Sequence, residues 1–225
     1  MNVVLFGATG MIGQGVLREC LLDPGVERVV SVGRSATGQQ QPKLREVVHR
    51  DLHDFSAIES ELAGVDACFF CLGIASAGMS EEDYSRITYG IAAAAADTLA
   101  RLNPDMTFVF VSGAGADSTE SGRIMWARVK GKAENAILRL PFKGYVFRPA
   151  FVQPLHGIRS RTTLYRVFYV ILAPLMPLIR RLFPGSVTTT VEVGRAMLDV
   201  ARNGAPKRVL ESKDIRRAAG FPVKA

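Results

Sequence analysis

Residues 1–13 read MNVVLFGATGMIG. The run NVVLF is short, apolar and rich in β-branched residues, as a buried strand is. Gly7, Gly10 and Gly13 follow it, and MIGQGVLRECLL then sets Ile12, Val16, Leu17 and Leu21 on one helical face before Asp23-Pro24-Gly25 stops the helix. Glycines spaced this way carry little information alone. Between a strand and a helix they answer three needs at once: a turn free of Cβ constraint, close approach of a phosphate to the backbone, and tight packing of helix on strand. The helix N-terminus adds unpaired N–H groups and partial positive charge. The stretch predicts a dinucleotide cradle in which Gly7, Thr9, Gly10, Met11 and Ile12 meet the pyrophosphate.

From there the chain keeps alternating. RVVSVG is a second strand and LREVVHRDL contains a third; FSAIESELAG is a short helix ended by Gly64; DACFFCLG is a fourth strand. YSRITYGIAAAAADTLARLN reads as a long alanine-rich helix ending at Asn103-Pro104, TFVFVSG as strand five, GRIMWARVKGKAENAILRL as a helix and KGYVFRPAFV as strand six. Apolar runs alternating with helices predict an α/β fold, an open doubly wound parallel sheet covered on both faces. Residues 1–154 form the expected dinucleotide-binding core. Residues 155–190 carry several prolines and no alternation, and are expected to insert as a small cap where such folds build substrate pockets. Residues 191–225 return to order with the helix VEVGRAMLDVARNG, stopped at Gly204, and a last strand in KRVLES.

The end of the second strand discriminates between cofactors. An acidic residue there suits the free ribose hydroxyl of NAD, whereas Gly33-Arg34-Ser35 offers a guanidinium that suits the 2′-phosphate of NADP(H). Asp51 and Leu52, after strand three, flank the adenine or, equally, Asp51 caps a turn. Cys71, Leu72 and Gly73 after strand four run beside the ribose and nicotinamide, and Pro149 and Val152 complete the expected contacts.

Composition sets outer bounds. The 225 residues carry a formal charge of +7, and residues 155–225 hold 13 of the 28 Lys/Arg but 4 of the 21 Asp/Glu. No nucleic-acid motif accompanies this charge, so no specific nucleic acid is expected. LYRVFYVILAPLMPLIRRLF is too short and too broken by Pro174 and Pro177 to span a membrane, yet with Arg159, Arg161, Arg166, Arg180 and Arg181 around it, contact of 155–185 with an anionic surface is one reading, a lid over a lipophilic substrate another. Cys68 and Cys71 form a nominal C-x-x-C, but three apart on a strand they point to opposite faces, which argues against a redox or metal pair. No other cluster supports a metal. With no secretory signal at the N-terminus, a reducing, cytoplasmic location is expected, and a homodimer is compatible with the size.

On LFGATGMIG (5–13), VGR (32–34), VSGAGAD (111–117), VKGKAE (129–134), VFRPAF (146–151) and the tail GSVTTTVEVGRAML and VLESKDI (185–198 and 209–215), the chain resembles an atypical short-chain dehydrogenase/reductase, and specifically the Tat-interacting-protein family of NADPH-binding oxidoreductase-like proteins. The resemblance covers nearly the whole chain and implies NADPH. It further implies a serine, a tyrosine and a lysine, the tyrosine four residues before the lysine so that both project from one helix face. The lysine holds the ribose and lowers the phenol's pKa for proton exchange with a carbonyl. Carried over, the serine is Ser112 and the lysine Lys130, but the tyrosine position holds Trp126, whose indole does not titrate usefully. Gly113 also stands where a second serine is common. Tyr84, Tyr89, Tyr165, Tyr169 and His156 are weaker candidates for the missing acid; His49 and His53 belong to the adenine end. The chain is therefore expected to be an oxidoreductase passing hydride to a small conjugated acceptor of flavin or quinone type, with Trp126 as an apolar wall near the nicotinamide. Alternatively it is a non-enzymatic NADP(H)-binding regulator or scaffold that controls a protein partner.

Overall fold

The computed structural model describes residues 1–158 and 185–221. The expected alternation is present. Strands β1 (Asn2–Phe6), β2 (Arg28–Gly33), β3 (Leu44–Val48), β4 (Ala67–Phe70), β5 (Thr107–Val111), β6 (Lys143–Arg148) and β9 (Val209–Glu211) form one sheet in the order β3-β2-β1-β4-β5-β6-β9. Every pairing in it is parallel. The chain moves outward from β1 to β3, then returns to pair β4 on the other side of β1. That reversal opens a crevice at the C-terminal ends of β1 and β4, the place where open α/β sheets bind ligands.

Two apolar layers explain why the strands lack polar alternation. On one face Phe6, Phe70, Phe108 and Phe110 pack beneath α4 (Ile91–Leu102) and α5 (Met125–Arg139). On the other, Leu5, Phe69, Val109 and Val111 pack beneath α1 (Met11–Leu22) and α6 (Thr190–Asn203). All residues of β4 and β5 are buried. Cys68 faces the first layer and Cys71 packs against the second, so the C-x-x-C residues diverge as the strand period requires. The three cysteines are free.

The sequence reading missed several local features. The short helix at FSAIESELAG is a 3₁₀ turn, Ser56–Ile58, running into the four-residue α2 (Glu59–Leu62). The alanine-rich helix starts earlier than expected, with α3 (Glu81–Ser85), because the Ser80 hydroxyl accepts from the Asp83 N–H at 3.1 Å and Glu81, Glu82 and Asp83 fill the first turn. A π-helical turn, Arg86–Gly90, then joins it to α4. The sixth strand divides at Pro149: β7 (Phe151–Gln153) leaves the large sheet and pairs in parallel with β8 (Val187–Thr189). Pro149 offers no N–H to continue the ladder, and the Ala150 N–H turns instead to the Ser212 hydroxyl at 2.9 Å. β8 leads into α6, which starts with a capping box of Thr189 and Glu192; α7 (Ser212–Ala218) follows β9.

The candidate dinucleotide and catalytic site

The glycines bring strand, turn and helix into close backbone contact. Gly7 adopts φ +81°, and a Cβ there would lie 2.7 Å from the Cys71 carbonyl carbon and the Leu72 nitrogen. A Cβ on Gly13 would overlap the Gly7 carbonyl. Strand β1, the turn and the chain leaving β4 are therefore in backbone contact, with Cys71 N–H donating to Phe6 O at 2.9 Å. Gly10 caps α1 without any side-chain bond, and the first turn of α1 has no acidic residue. That leaves the α1 N–H groups and positive helix end aimed at the crevice with no anionic side chain against them, as a pyrophosphate requires. Thr9, Met11 and Ile12 lie partly exposed around this turn.

At the end expected to take the adenosine, Arg34 follows Gly33 directly and is exposed, with no hydrogen bond or ion pair among the described residues. Arg50, which sequence reasoning passed over, lies two residues beyond Val48, the register partner of Gly33, and is equally exposed and unpaired. Asp51 accepts from the His53 N–H at 2.9 Å, so the turn-capping alternative is realised. Leu52 is buried in the layer beneath α4. His49 bonds the Asp54 carbonyl at 2.6 Å, and His53 packs by Gly90. Gly73 is exposed just past the crossing at Gly7. Pro149 is buried, its carbonyl accepting from Ala114 N–H at 3.1 Å, and Val152 is a core residue packed with the α1 and α6 layer.

The candidate catalytic end is assembled by β5 and α5. Phe110 and Ser112 alternate onto the same face of the strand, the face that α5 covers. Lys130 stretches its ammonium over the Phe110 ring, 5.7 Å from the centroid, on the strand face that also carries Ser112 two residues on. Ser112 is buried, and its Oγ has no hydrogen-bond partner among the described residues. An orphaned hydroxyl at this depth is costly unless a ligand completes it. Lys130 makes no ion pair among the described residues, and desolvation pushes its ammonium down to about 8, only partly offset by Glu134 one turn along the helix. Glu134 itself is fully buried and held by Arg148, whose Nε lies 3.1 Å from Oε1. Trp126, one turn before Lys130, lays its ring over the loop after Ser112: a Cβ on Gly115 would sit 3.5 Å from the indole. The loop and helix are locked, because a Cβ on Gly131 would overlap the Asp117 carbonyl.

Two further polar groups share the orphaned state of Ser112. Thr88 Oγ1, on the π-turn that packs against α5, and Gln153 Oε1, on β7, are buried without partners among the described residues. No periodic signal marks either position in the sequence. π-turns within α-helices concentrate at functional sites, and Thr88 lies on one. Of the other candidates, Tyr84 is buried within α3 and Tyr89 lies beneath the Lys132 ammonium at 4.4 Å. His156 is exposed in a left-handed turn at φ 55°, a surface position. Tyr165, Tyr169, the arginines from 159 to 181 and most of the expected cap and membrane-contact segment lie outside the described residues. Among those described, no helix is long and apolar enough to cross a membrane, and no group of three or more metal-binding side chains occurs.

Comparison with known proteins bears on this site. A short-chain dehydrogenase/reductase superfamily protein of Agrobacterium tumefaciens, solved with NAD, superposes with TM-score 0.67 at 13% identity over 94% of this chain and 77% of its own. A dTDP-glucose 4,6-dehydratase of Streptomyces venezuelae, also with NAD, gives 0.69 at 15% over 98% and 79%. At these identities the likeness shows the fold. Among curated relatives, the Aspergillus terreus protein fmp52-1, mitochondrial, is 32% identical over 67% of this chain and 66% of its own length, and the Emericella nidulans protein fmp52, mitochondrial, is 28% identical over the same shares. The chain thus spans just under two thirds of the length of these relatives.

Their names overturn the expectation of a cytoplasmic location. That expectation rested on reduced cysteines and the lack of a secretory signal. The thiols need no reducing compartment to explain them: burial, the largest cause, pushes Cys20, Cys68 and Cys71 well above the usual thiol range. The likeness to the Tat-interacting proteins gains no support from these comparisons, but the broader one does. Residues 7–139, from the first cradle glycine to the end of α5, match the family described as NAD(P)H-binding. The chain belongs to that NAD(P)H-binding family, a Rossmann-type domain with the fold of the short-chain dehydrogenase/reductase superfamily.

Proposed function

We propose that the protein is an NADP(H)-dependent oxidoreductase whose acceptor is conjugated, of quinone or flavin type. The observation that carries the reading is the pairing of Ser112 and Lys130 on one face with Trp126 where a phenol would stand. The residues fit the cofactor: the α1 N-terminus and Gly7 for the pyrophosphate, Arg34 with Arg50 for the 2′-phosphate, and Lys130 for the nicotinamide ribose. When bound, the nicotinamide supplies hydride. The chain's own part is to align, to exclude water and to bond the acceptor oxygen through the Ser112 hydroxyl. Trp126 provides a flat apolar surface suited to a planar acceptor. A conjugated acceptor fits a site without a phenol because its reduced form spreads charge and needs no concerted phenolic proton.

The test is NADPH oxidation at 340 nm with a panel of benzoquinones, naphthoquinones and free flavins. Turnover stimulated by a planar acceptor, and by NADPH in preference to NADH, supports the reading. Tight NADPH binding without turnover on any acceptor would instead favour a cofactor-binding regulator, the role to which the loss of the phenol also points.

A further inference from the structure

Lys130 has two features that a ribose-binding lysine does not need. Its ammonium lies over an aromatic ring rather than against a carboxylate. By strand alternation, the face that carries this ring also carries, two residues on, the buried Ser112 hydroxyl, which has no partner among the described residues. The groups that could neutralise it are engaged elsewhere. Glu134 is bound by Arg148, Glu81 by Arg128 at 2.6 Å, and Asp83 by Arg86 at 3.1 Å. Asp117 accepts from Thr119 and Gly122, the Tyr89 ring carries Lys132, and Tyr84 is buried on α3. Among the described residues, Lys130 is left as the titratable proton carrier on the face of β5 that carries Phe110 and Ser112, while the position one helical turn before it, which would hold a phenol, holds an indole.

Resting on the oxidoreductase reading, we propose that Lys130 is the site's proton donor: its ammonium protonates the oxyanion left on the acceptor, with the Ser112 hydroxyl bonding the same oxygen. The substrate class follows. It is an acceptor, quinone or enone, in which gaining a hydride leaves negative charge on an oxygen. NADPH is the reductant and leaves as NADP⁺. On the acceptor an O–H bond forms as one N–H bond of Lys130 breaks, and the neutral amine regains its proton from solvent. Packing around the side chain lowers the ammonium to about 8, so the proton is available near neutrality and moves downhill to a phenolate or enolate.

The first measurement needs no turnover. Amine acylation of the apo protein, followed by mass spectrometry of the Lys130 peptide across pH 6–11, is expected to show half-maximal reactivity near pH 8, against about 10.4 for ordinary lysines. The second is single-turnover quinone reduction at saturating NADPH. Its rate is expected to be level to about pH 8 and then to fall about tenfold per pH unit. Lys130→Arg keeps a cation for the ribose but cannot release a proton. It is expected to hold NADPH affinity within a few-fold while the reduction rate drops about 100-fold or more and loses the alkaline limb. Lys130 titrating with the surface lysines, a wild-type rate flat from pH 7 to 10, or an Arg variant of unchanged rate would each overturn the proposal while leaving the oxidoreductase reading intact. Absence of NADPH oxidation with every acceptor would overturn both.

Discussion

Lys130 and Ser112 can be tested for function and stability separately, because each carries a cost in the folded chain. For Lys130 the folded value near 8 lies below the usual 10.5. Between those two pH values the folded state binds fewer protons than the unfolded, so stability rises with pH there. Below about pH 8 the penalty is fully present. Lys130→Met is therefore expected to raise stability at pH 7 by about 1 kcal/mol, discounted for partial solvent reach, with the gain gone by about pH 10.5 in urea titrations. Ser112→Ala and Thr88→Val remove buried hydroxyls that lack partners among the described residues. Both are expected to leave the melting temperature unchanged or higher, since about 1 kcal/mol of desolvation is relieved, while Ser112→Ala slows reduction. A clear loss of stability in either variant would mean that the hydroxyl has a structural partner. Ser112 and Lys130 were legible only through the resemblance to short-chain reductases, which implies a serine at the end of strand five and a lysine four residues after the tyrosine position. Thr88, Gln153 and Arg50 were not, since each depends on which neighbours remain unpaired, and only three-dimensional packing shows that.

Among elements, α5 decides the geometry of the site. Gly131 lets it lie on the loop after β5, and the Glu134–Arg148 pair fastens it to β6. Gly131→Ala would force helix and loop apart, and a loss of about 2–4 kcal/mol is expected, as for overpacking against rigid backbone. Glu134→Leu strands Arg148 without its buried partner and is expected to cost about 3–5 kcal/mol by denaturant unfolding. The large sheet was legible because its strands are apolar on both faces and its helices are amphipathic. The π-turn, the division of strand six at Pro149 and the short β8 were not. Three-residue strands carry no periodicity, and a π-turn keeps the composition of the helix around it.

At the scale of the whole molecule, the proposed function requires a cradle selective for NADP(H), with the nicotinamide end beside Trp126. The crevice at β1 and β4 was predictable from a glycine turn followed by a strand reversal. The proposed selectivity rests on Arg34 and Arg50, two exposed guanidinium groups just past the ends of neighbouring strands, with no acidic partner among the described residues. A charge-assisted bond to a phosphate contributes about 1.5–3 kcal/mol, so Arg34→Ala is expected to weaken NADPH binding about 10- to 100-fold and leave NADH unchanged. Trp126 is the sole tryptophan, so its emission reports on this site alone. The decisive measurement is a titration of the wild-type protein and Arg34→Ala with NADPH and NADH, following tryptophan fluorescence. Strong quenching by NADPH at far lower concentration than NADH, with the difference lost in the variant, is the expected outcome. Equal binding of the two nucleotides would contradict the NADP(H) assignment, and binding seen by calorimetry without quenching would contradict the placement of Trp126 beside the nicotinamide.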